Sequence, residues 1–528
     1  MKIRWFPGRV LPPVPLLVPS ILSGALTTLC FPTISLGPVS LLALTPLFWA
    51  LLRGKPSPRD AFRAGFLFGV TCYVGMLWWI VKLIPSADVT IPWLMTPALI
   101  LLVLYLALYP AFFLLVAAYA SRWRRLPFIL CAPAVWTLFE MARSGGELAF
   151  PWGLLGYSLS DHPELMQSAE WWGVYGLSFV IVLVNALVAS MAVSKGPRAI
   201  GANAVAACAL AGGIYLYGDA RVAGVDAWTG DTLRVAVAQP NIDLAIKWKP
   251  EFRDSSFAQV NRQTRIAAEQ GAQLVVFPET CAPMFIENSP GHRSELLGLA
   301  RWLDLPIYVG FLDHRYHDRT SGPDIFNSSG VFRTDGTVQK YAKRHLLPFG
   351  ESLPLSSRFR ILRKIDFGQA NFQPGEYADP LDAGPVRFTP LICFESVFPE
   401  LCRDGVRAGS ELFVNITNDG WFGNTPGPYQ HAQMAIARAV EFRRFLVRSA
   451  NSGVSMVVAP SGEVIDQIPL NETGVHTVDV LALDGITLYA RYGNPPLAVL
   501  SALLIVAAVI RARRSSGAPD RLVQPTIT

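Results

Sequence analysis

Long apolar stretches separated by short polar connections fill the first 220 residues, and then the pattern changes. Seven apolar segments lie at roughly 14–34, 38–52, 61–83, 96–120, 127–142, 171–194 and 199–218, and an eighth lies near 493–510. About 20 apolar residues in helix match the hydrocarbon thickness of a bilayer. The second and fifth segments are short for a full span. The chain begins basic and then apolar, as a secretory leader does. Further apolar segments follow at once and no clear cleavage site is present, so the first segment reads as an uncleaved span.

Between 219 and 492 the chain has a soluble pattern. Strand-like runs recur at 233–238, 273–277, 306–311, 329–333, 391–394, 411–415, 445–450 and 455–459, with helical periodicity at 255–270 and 429–444. Strands interleaved with helices predict a layered α/β domain. The expected organisation is therefore a membrane domain over 1–220, a soluble domain over 221–490, and a last span with a basic tail over 491–528.

Basic residues orient this arrangement. Lys2, Arg4 and Arg9 precede the first segment. Arg53, Lys55, Arg59 and Arg63 lie at the second connection, Arg122, Arg124 and Arg125 at the fourth, and Lys195 and Arg198 at the sixth. Arg511, Arg513 and Arg514 follow the eighth segment. The intervening connections are poor in Lys and Arg: 32–38 has none, and Asp88 is the only charge in 86–92. Cytoplasmic loops carry the excess of basic residues. Both termini are thus expected in the cytoplasm and 219–492 on the far side of the membrane.

Composition agrees. The 528 residues are 52% hydrophobic and only 16% charged, with net charge +6 and mean hydropathy +0.35. Soluble domains carry about 25% charged residues. Seven cysteines are scattered without paired spacing, and Cys30, Cys72, Cys131 and Cys208 fall in apolar segments. This speaks against a disulfide framework. No zinc-ligand spacing, Walker loop or GxGxxG occurs, so no metal, cofactor or nucleic-acid partner is indicated.

Three segments carry reactive side chains. They are Leu274-Val275-Val276-Phe277-Pro278-Glu279, Tyr341-Ala342-Lys343 continuing to Pro348-Phe349-Gly350-Glu351, and Leu391-Ile392-Cys393-Phe394-Glu395. A thiol attacks as thiolate, so it needs a base or a nearby cation. Glu279 could take the proton, and Lys343 could stabilise the thiolate and then an oxyanion. Glu351 could orient Lys343. Taken singly, each has a plain alternative: a buried core cysteine, a solvated glutamate, a surface lysine.

The words around these residues resemble the nitrilase superfamily, and more closely its integral-membrane branch, the apolipoprotein N-acyltransferases. Further matches are Ala238-Gln239-Pro240-Asn241-Ile242 with Lys247-Trp248, Asn418-Asp419-Gly420-Trp421-Phe422-Gly423, and Glu441-x-x-Arg444-x-x-x-Arg448-x-x-Asn451-x-Gly453. Phe150-Pro151-Trp152 with Gly156-Tyr157 matches in the membrane part. The resemblance implies a polytopic helical membrane domain of about eight spans and a nitrilase-like α-β-β-α sandwich in the periplasm of a bacterial inner-membrane protein. It implies Glu279 as general base, Lys343 as oxyanion stabiliser and Cys393 as nucleophile. Glu351 and Glu395 are implied as supporting carboxylates, and Trp248, Trp421 and Trp152 as substrate contacts. It implies a phospholipid acyl donor, a diacylated apolipoprotein acceptor and no cofactor. Phe394 departs from the tyrosine that the family often has after the nucleophile.

Two alternatives stay open at the level of sequence. One is a membrane-tethered amidase using the same three residues with water. The other is a non-catalytic lipid-binding scaffold. Transport has little support, because the spans hold few central charges. His345 lies beside Lys343 in a motif that already has a role, and a histidine-based thiol mechanism is the weaker reading. His431 is expected to pack or hydrogen-bond near a helix start. Trp78, Trp79, Trp171 and Trp172 fit an interfacial aromatic belt. Glu140 and Arg143, one helical turn apart, are expected as an ordinary pair at the membrane interface.

Overall fold

The computed structural model describes residues 11–516 except 33, 84–94, 124, 225–228, 317–322, 355–370 and 378. Lys2, Arg4, Arg9, the connection around Asp88, Arg124 and the tail beyond 516 lie outside the described residues. Five helical segments are long and apolar enough to cross a membrane: Gly37–Gly54, Pro58–Lys82, Met95–Tyr119, Ala169–Ala192 and Pro197–Ala223. Val14–Leu29 and Pro495–Arg511 are shorter apolar helices, and Arg125–Arg143 forms a further helix. The chain is thus built as a multi-pass membrane protein. The first apolar segment stops being helical at Leu29. The second begins with a 3₁₀ turn at Gly37–Val39, and Leu44 separates Ser40–Ala43 from Thr45–Gly54.

The soluble region folds as two stacked sheets. The first contains β1 (Asp231–Gln239), β2 (Leu274–Val276), β3 (Ala282–Phe285), β4 (Ile307–Arg315), β5 (Asp324–Phe332) and β6 (Val338–Ala342). The second contains β7 (Leu381–Asp382), β8 (Arg387–Ile392), β9 (Leu412–Thr417), β10 (Leu446–Ala450), β11 (Ser455–Val458) and β12 (Val464–Ile468). β13 (Gly474–Ala482) returns to the first sheet, whose order is β13-β1-β2-β4-β5-β6 with β3 beside β4. The second sheet runs β12-β11-β10-β9-β8-β7.

Side-chain alternation explains the layers. Val235, Val237, Leu274, Val276 and Tyr308 of the first sheet meet Phe388, Ile392, Val414, Ile416 and Val447 of the second in one core. Ala236, Val275, Ile307 and Val309 point the other way, against helices Arg253–Glu269 and Pro290–Leu303. The central strands β2 and β9 are parallel to both neighbours and buried throughout, and β8 is parallel to β9 and buried beyond Arg387. Sheets covered on both faces give such unbroken apolar runs.

The outer face of the second sheet is covered by helices Pro399–Arg407 and Pro426–Phe442. Their apolar side chains belong to the same contiguous core as the membrane helices. Nearly every residue of Pro426–Phe442 is buried, its charged ones included. A helix buried all round lies between two layers. Here it joins the sheet to Ala169–Ala192, where the backbone N–H of Val174 donates to Glu441 Oε1 at 2.8 Å. Arg443 Nε donates to Glu170 Oε2 at 2.7 Å, and its Nη1 donates to Gln167 Oε1 at 2.6 Å and to the Pro460 carbonyl at 2.8 Å.

Glu140 and Arg143 correct an expectation. Both are buried in protein rather than exposed at its surface. Glu140 Oε1 accepts the N–H of Leu155 at 2.8 Å, and Arg143 Nη1 donates to the carbonyls of Phe150 at 3.2 Å and Trp152 at 2.8 Å. They hold the loop that carries Trp152.

Arg443→Ala should destabilise the detergent-solubilised protein by about 1–3 kcal/mol, because it leaves Gln167 Oε1 and the Pro460 carbonyl without this donor while Glu170 keeps Arg221 and Tyr217. Thermal unfolding measures this, and a midpoint equal to wild type would show that the contact contributes little.

Candidate active site

Three strands end at one place. Glu279 lies just beyond the end of β2, Lys343 immediately after β6 and Cys393 immediately after β8. Catalytic groups in open α/β sheets commonly sit beyond the carboxyl ends of strands. The Lys343 ammonium is 1% exposed. It lies 2.8 Å from Glu351 and 3.7 Å from Glu279 Oε1. The two carboxylates hold it firmly protonated in spite of its burial. Burial pushes the Glu279 carboxyl above its ordinary value; Lys343 opposes this and Glu351 adds to it.

Cys393 is half-buried. Burial and the Glu279 charge push its thiol well above the ordinary range, with Lys343 pulling the other way. The resting thiol is therefore protonated and needs a base. Its backbone is left-handed, at φ 52°, a conformation rare outside glycine. Three donors converge on the Cys393 carbonyl: Ser396 Oγ at 3.1 Å, Asn415 Nδ2 at 3.4 Å and His431 Nε2 at 3.2 Å. Such strain persists only where surrounding contacts over-determine it.

Glu395 fixes the other side of this turn. Its Oε2 accepts the N–H of Ile392 at 2.7 Å. Its Oε1 accepts from Tyr341 Oη at 2.8 Å and from the N–H groups of Arg344 at 2.6 Å and His345 at 3.1 Å. One buried carboxylate thus pins the cysteine turn to the lysine turn. Glu351 likewise accepts the N–H of Leu347 at 2.8 Å, closing its own loop. A base, a buried ammonium and a strained thiol brought together are equipped for covalent acyl transfer.

Residues 23–187 match the family model described as apolipoprotein N-acyltransferase N-terminal domain, and residues 234–488 match carbon-nitrogen hydrolase. The apolipoprotein N-acyltransferase of Geobacter metallireducens is 36% identical over 507 residues, covering 94% of this chain and 95% of that protein. The apolipoprotein N-acyltransferase of Azotobacter vinelandii is 32% identical over 541 residues, covering 99% of each. The chain belongs to the apolipoprotein N-acyltransferase family.

Several residues of the family motifs have places that sequence did not reveal. Trp152 is 4% exposed. Its indole N–H donates to Gln430 Oε1 at 2.8 Å and its ring stacks on His431, with centroids 5.8 Å apart. It is a packed member of the interface rather than a free wall. Trp248 and Trp421 are half-buried, beside Lys247 and Asp419 respectively. Phe394 packs edge-on against Phe398 and tilted against Phe150, which gives its ring an apolar place that needs no hydroxyl. His345 stacks on Phe398 at 4.4 Å.

The histidine beside the nucleophile is His431. A ring nitrogen of His431, a carboxylate oxygen of Asp419 and Cys393 Sγ lie within 4.8 Å of one another. These are metal-ligand types, but the Asp419 and His431 groups are already engaged. Asp419 accepts from Thr417 Oγ1 at 2.9 Å and Arg448 Nη2 at 2.8 Å, and pairs with His431 Nδ1 at 2.8 Å. Arg448 supplies the positive charge that a metal would bring.

Asn327, on β5, escaped sequence reading. Its Nδ2 donates to Glu279 Oε1 at 2.7 Å and to Glu351 Oε1 at 2.9 Å, bridging the two carboxylates. Gly310 was also missed. A Cβ there would lie 2.5 Å from Thr280 N and 2.8 Å from Glu279 Cα, so the turn carrying Glu279 rests on a bare backbone. Gly310→Ala should cost about 1–3 kcal/mol by overpacking and displace Glu279, lowering acyl transfer more than Gly298→Ala, whose Cβ meets nothing within 4 Å. Equal activity in the two variants would contradict the close fit.

Proposed function

We propose that this chain is an apolipoprotein N-acyltransferase that moves a fatty acyl chain from a membrane phospholipid to the N-terminal amine of a diacylglyceryl-cysteine. The near full-length relationship to enzymes of that name supports the activity. The observation that carries the mechanism is the buried ammonium of Lys343 between Glu279 and Glu351, beside a protonated Cys393.

Glu279 takes the proton of Cys393, and the thiolate attacks the phospholipid ester carbonyl. The oxyanion that forms is stabilised by Lys343. Collapse breaks the ester C–O bond, the lysophospholipid oxygen receives the proton from Glu279, and a thioester remains. The acceptor amine then attacks the thioester carbonyl and gives its proton to Glu279. The C–S bond breaks, the amide is complete, and Cys393 recovers its proton. Glu351, Asn327 and Glu395 position the three reacting groups. Trp248 and Trp421 are read as walls for the lipid chains.

The multi-pass anchor suits substrates that do not leave the bilayer. The basic-residue pattern supports eight spans in a bacterial inner membrane, with both termini cytoplasmic and the sandwich in the periplasm. A reporter active only in the periplasm should signal when fused after residue 220 and stay silent when fused after residue 514. The reverse pattern would separate the enzyme from its acceptor.

Conversion of a diacylated to a triacylated lipoprotein tests the chemistry. Cys393→Ala, Glu279→Gln and Lys343→Ala should each lower conversion at least about a hundredfold. Cys281→Ala and Cys402→Ala should retain it. Turnover by Cys393→Ala would end the thioester mechanism.

A further inference from the structure

Among the described residues two lysines are buried, Lys343 and Lys247. The first holds the reacting groups; the second has no part in the chemistry above. A buried ammonium is costly unless it is hydrogen-bonded for a purpose. Lys247 ends a short helical turn, Leu244–Lys247, whose start is capped by Asp243. Its side chain runs inward from the loop after β1 to the turn after β2. There Nζ donates to the backbone carbonyl of Glu279 at 3.1 Å and to Thr280 Oγ1 at 2.9 Å.

That turn is strained. Thr280 has φ 46°, and a β-branched residue rarely adopts a left-handed backbone. Gly310 supports the turn from one side only by close approach. The Lys247 ammonium grips it from the other, at the carbonyl and the hydroxyl on either side of the strained peptide. We propose that Lys247 is a positioning residue for the general base, holding the Glu279–Thr280 backbone so that the Glu279 carboxylate faces Cys393 and Lys343. This rests on the acyltransferase reading with Glu279 as base.

The ammonium also acts through its charge. The groups facing Glu279 are Lys343, Glu351, Asn327 and Lys247, and Cys393. Those facing Lys247 are Glu279 and the Cys281 thiol. Burial draws Lys247 down to about 8, so it is cationic at neutral pH, whereas Cys281 is pushed up to about 12 and stays neutral. Lys247 therefore adds a positive charge that favours ionised Glu279. Without it the Glu279 carboxyl protonates at higher pH, and a base works only when ionised. The acid limb of the rate profile then moves to higher pH.

The test uses the full-length enzyme in mixed micelles with phosphatidylethanolamine, following first-turnover release of lysophospholipid as a function of pH. Lys247→Met should slow release about tenfold or more and move the acid limb to higher pH. Lys247→Gln keeps a donor without charge and should recover part of the rate while the limb stays displaced. Thr280→Ala removes one acceptor only and should give a smaller loss, which keeps the test open if Lys247→Met unfolds. Thermal midpoints are taken for each. A wild-type rate and acid limb in Lys247→Met, or a slower rate with an unmoved limb, would overturn the proposal. If the wild-type enzyme itself gives no Cys393-dependent release, the acyltransferase reading fails first, and that failure is visible without any Lys247 variant.

Discussion

One ammonium between two carboxylates in a place closed to water sets the requirements for the rest of this molecule. Lys343 is too buried to be charged alone, and both Glu279 and Glu351 face its ammonium. Each charge is tolerable only because the others are present. Asn327 bridges the two carboxylates, and the Leu347 N–H holds the second. Two sheets bring these groups together from the ends of three strands. The thiol added to this cluster faces negative charge and burial at once, so it rests protonated. That is the state from which a base-assisted attack begins.

The second constraint is mechanical. The helix Pro426–Phe442 is buried on all sides between the second sheet and the membrane helices. Its first turns carry Gln430, which accepts from both Trp79 and Trp152, and His431, which reaches the Cys393 carbonyl. Interiors packed at this density transmit small displacements. The nucleophile turn and the membrane helices are therefore joined through one rigid element. Position of the thiol and position of the lipid-facing helices are not independent.

Much of this was legible in the chain. The run ending at Glu279 opens as the strand Leu274–Val276, the run at 391–394 contains the end of a strand at Ile392, and the run at 445–450 is strand over Leu446–Ala450, because strands covered on both faces leave unbroken apolar stretches. Glu279, Lys343 and Cys393 were legible because each ends a run or sits in a distinctive word. Asn327 was not, and Lys247 was legible only as part of a family word, because their partners are 48 and 32 residues away in sequence and nothing local announces either contact. Glu140 and Arg143 were misjudged for a related reason. Their spacing suggested a pair with each other, whereas each binds backbone of the 150–155 loop. Trp152 lies in the 150–155 loop, where an aromatic could face lipid or substrate equally well; its burial follows from Gln430 and His431 far along the chain.

The central claim is a covalent bond between an acyl chain and Cys393. Intact-mass measurement of the purified protein after exposure to phospholipid, without acceptor, tests it directly. An added mass of one fatty acyl group, mapped to the peptide carrying Cys393 and removed by a lipopeptide amine faster than by water, is the expected result. An unmodified protein that nonetheless completes acyl transfer when acceptor is added, or an adduct on another residue, would contradict it.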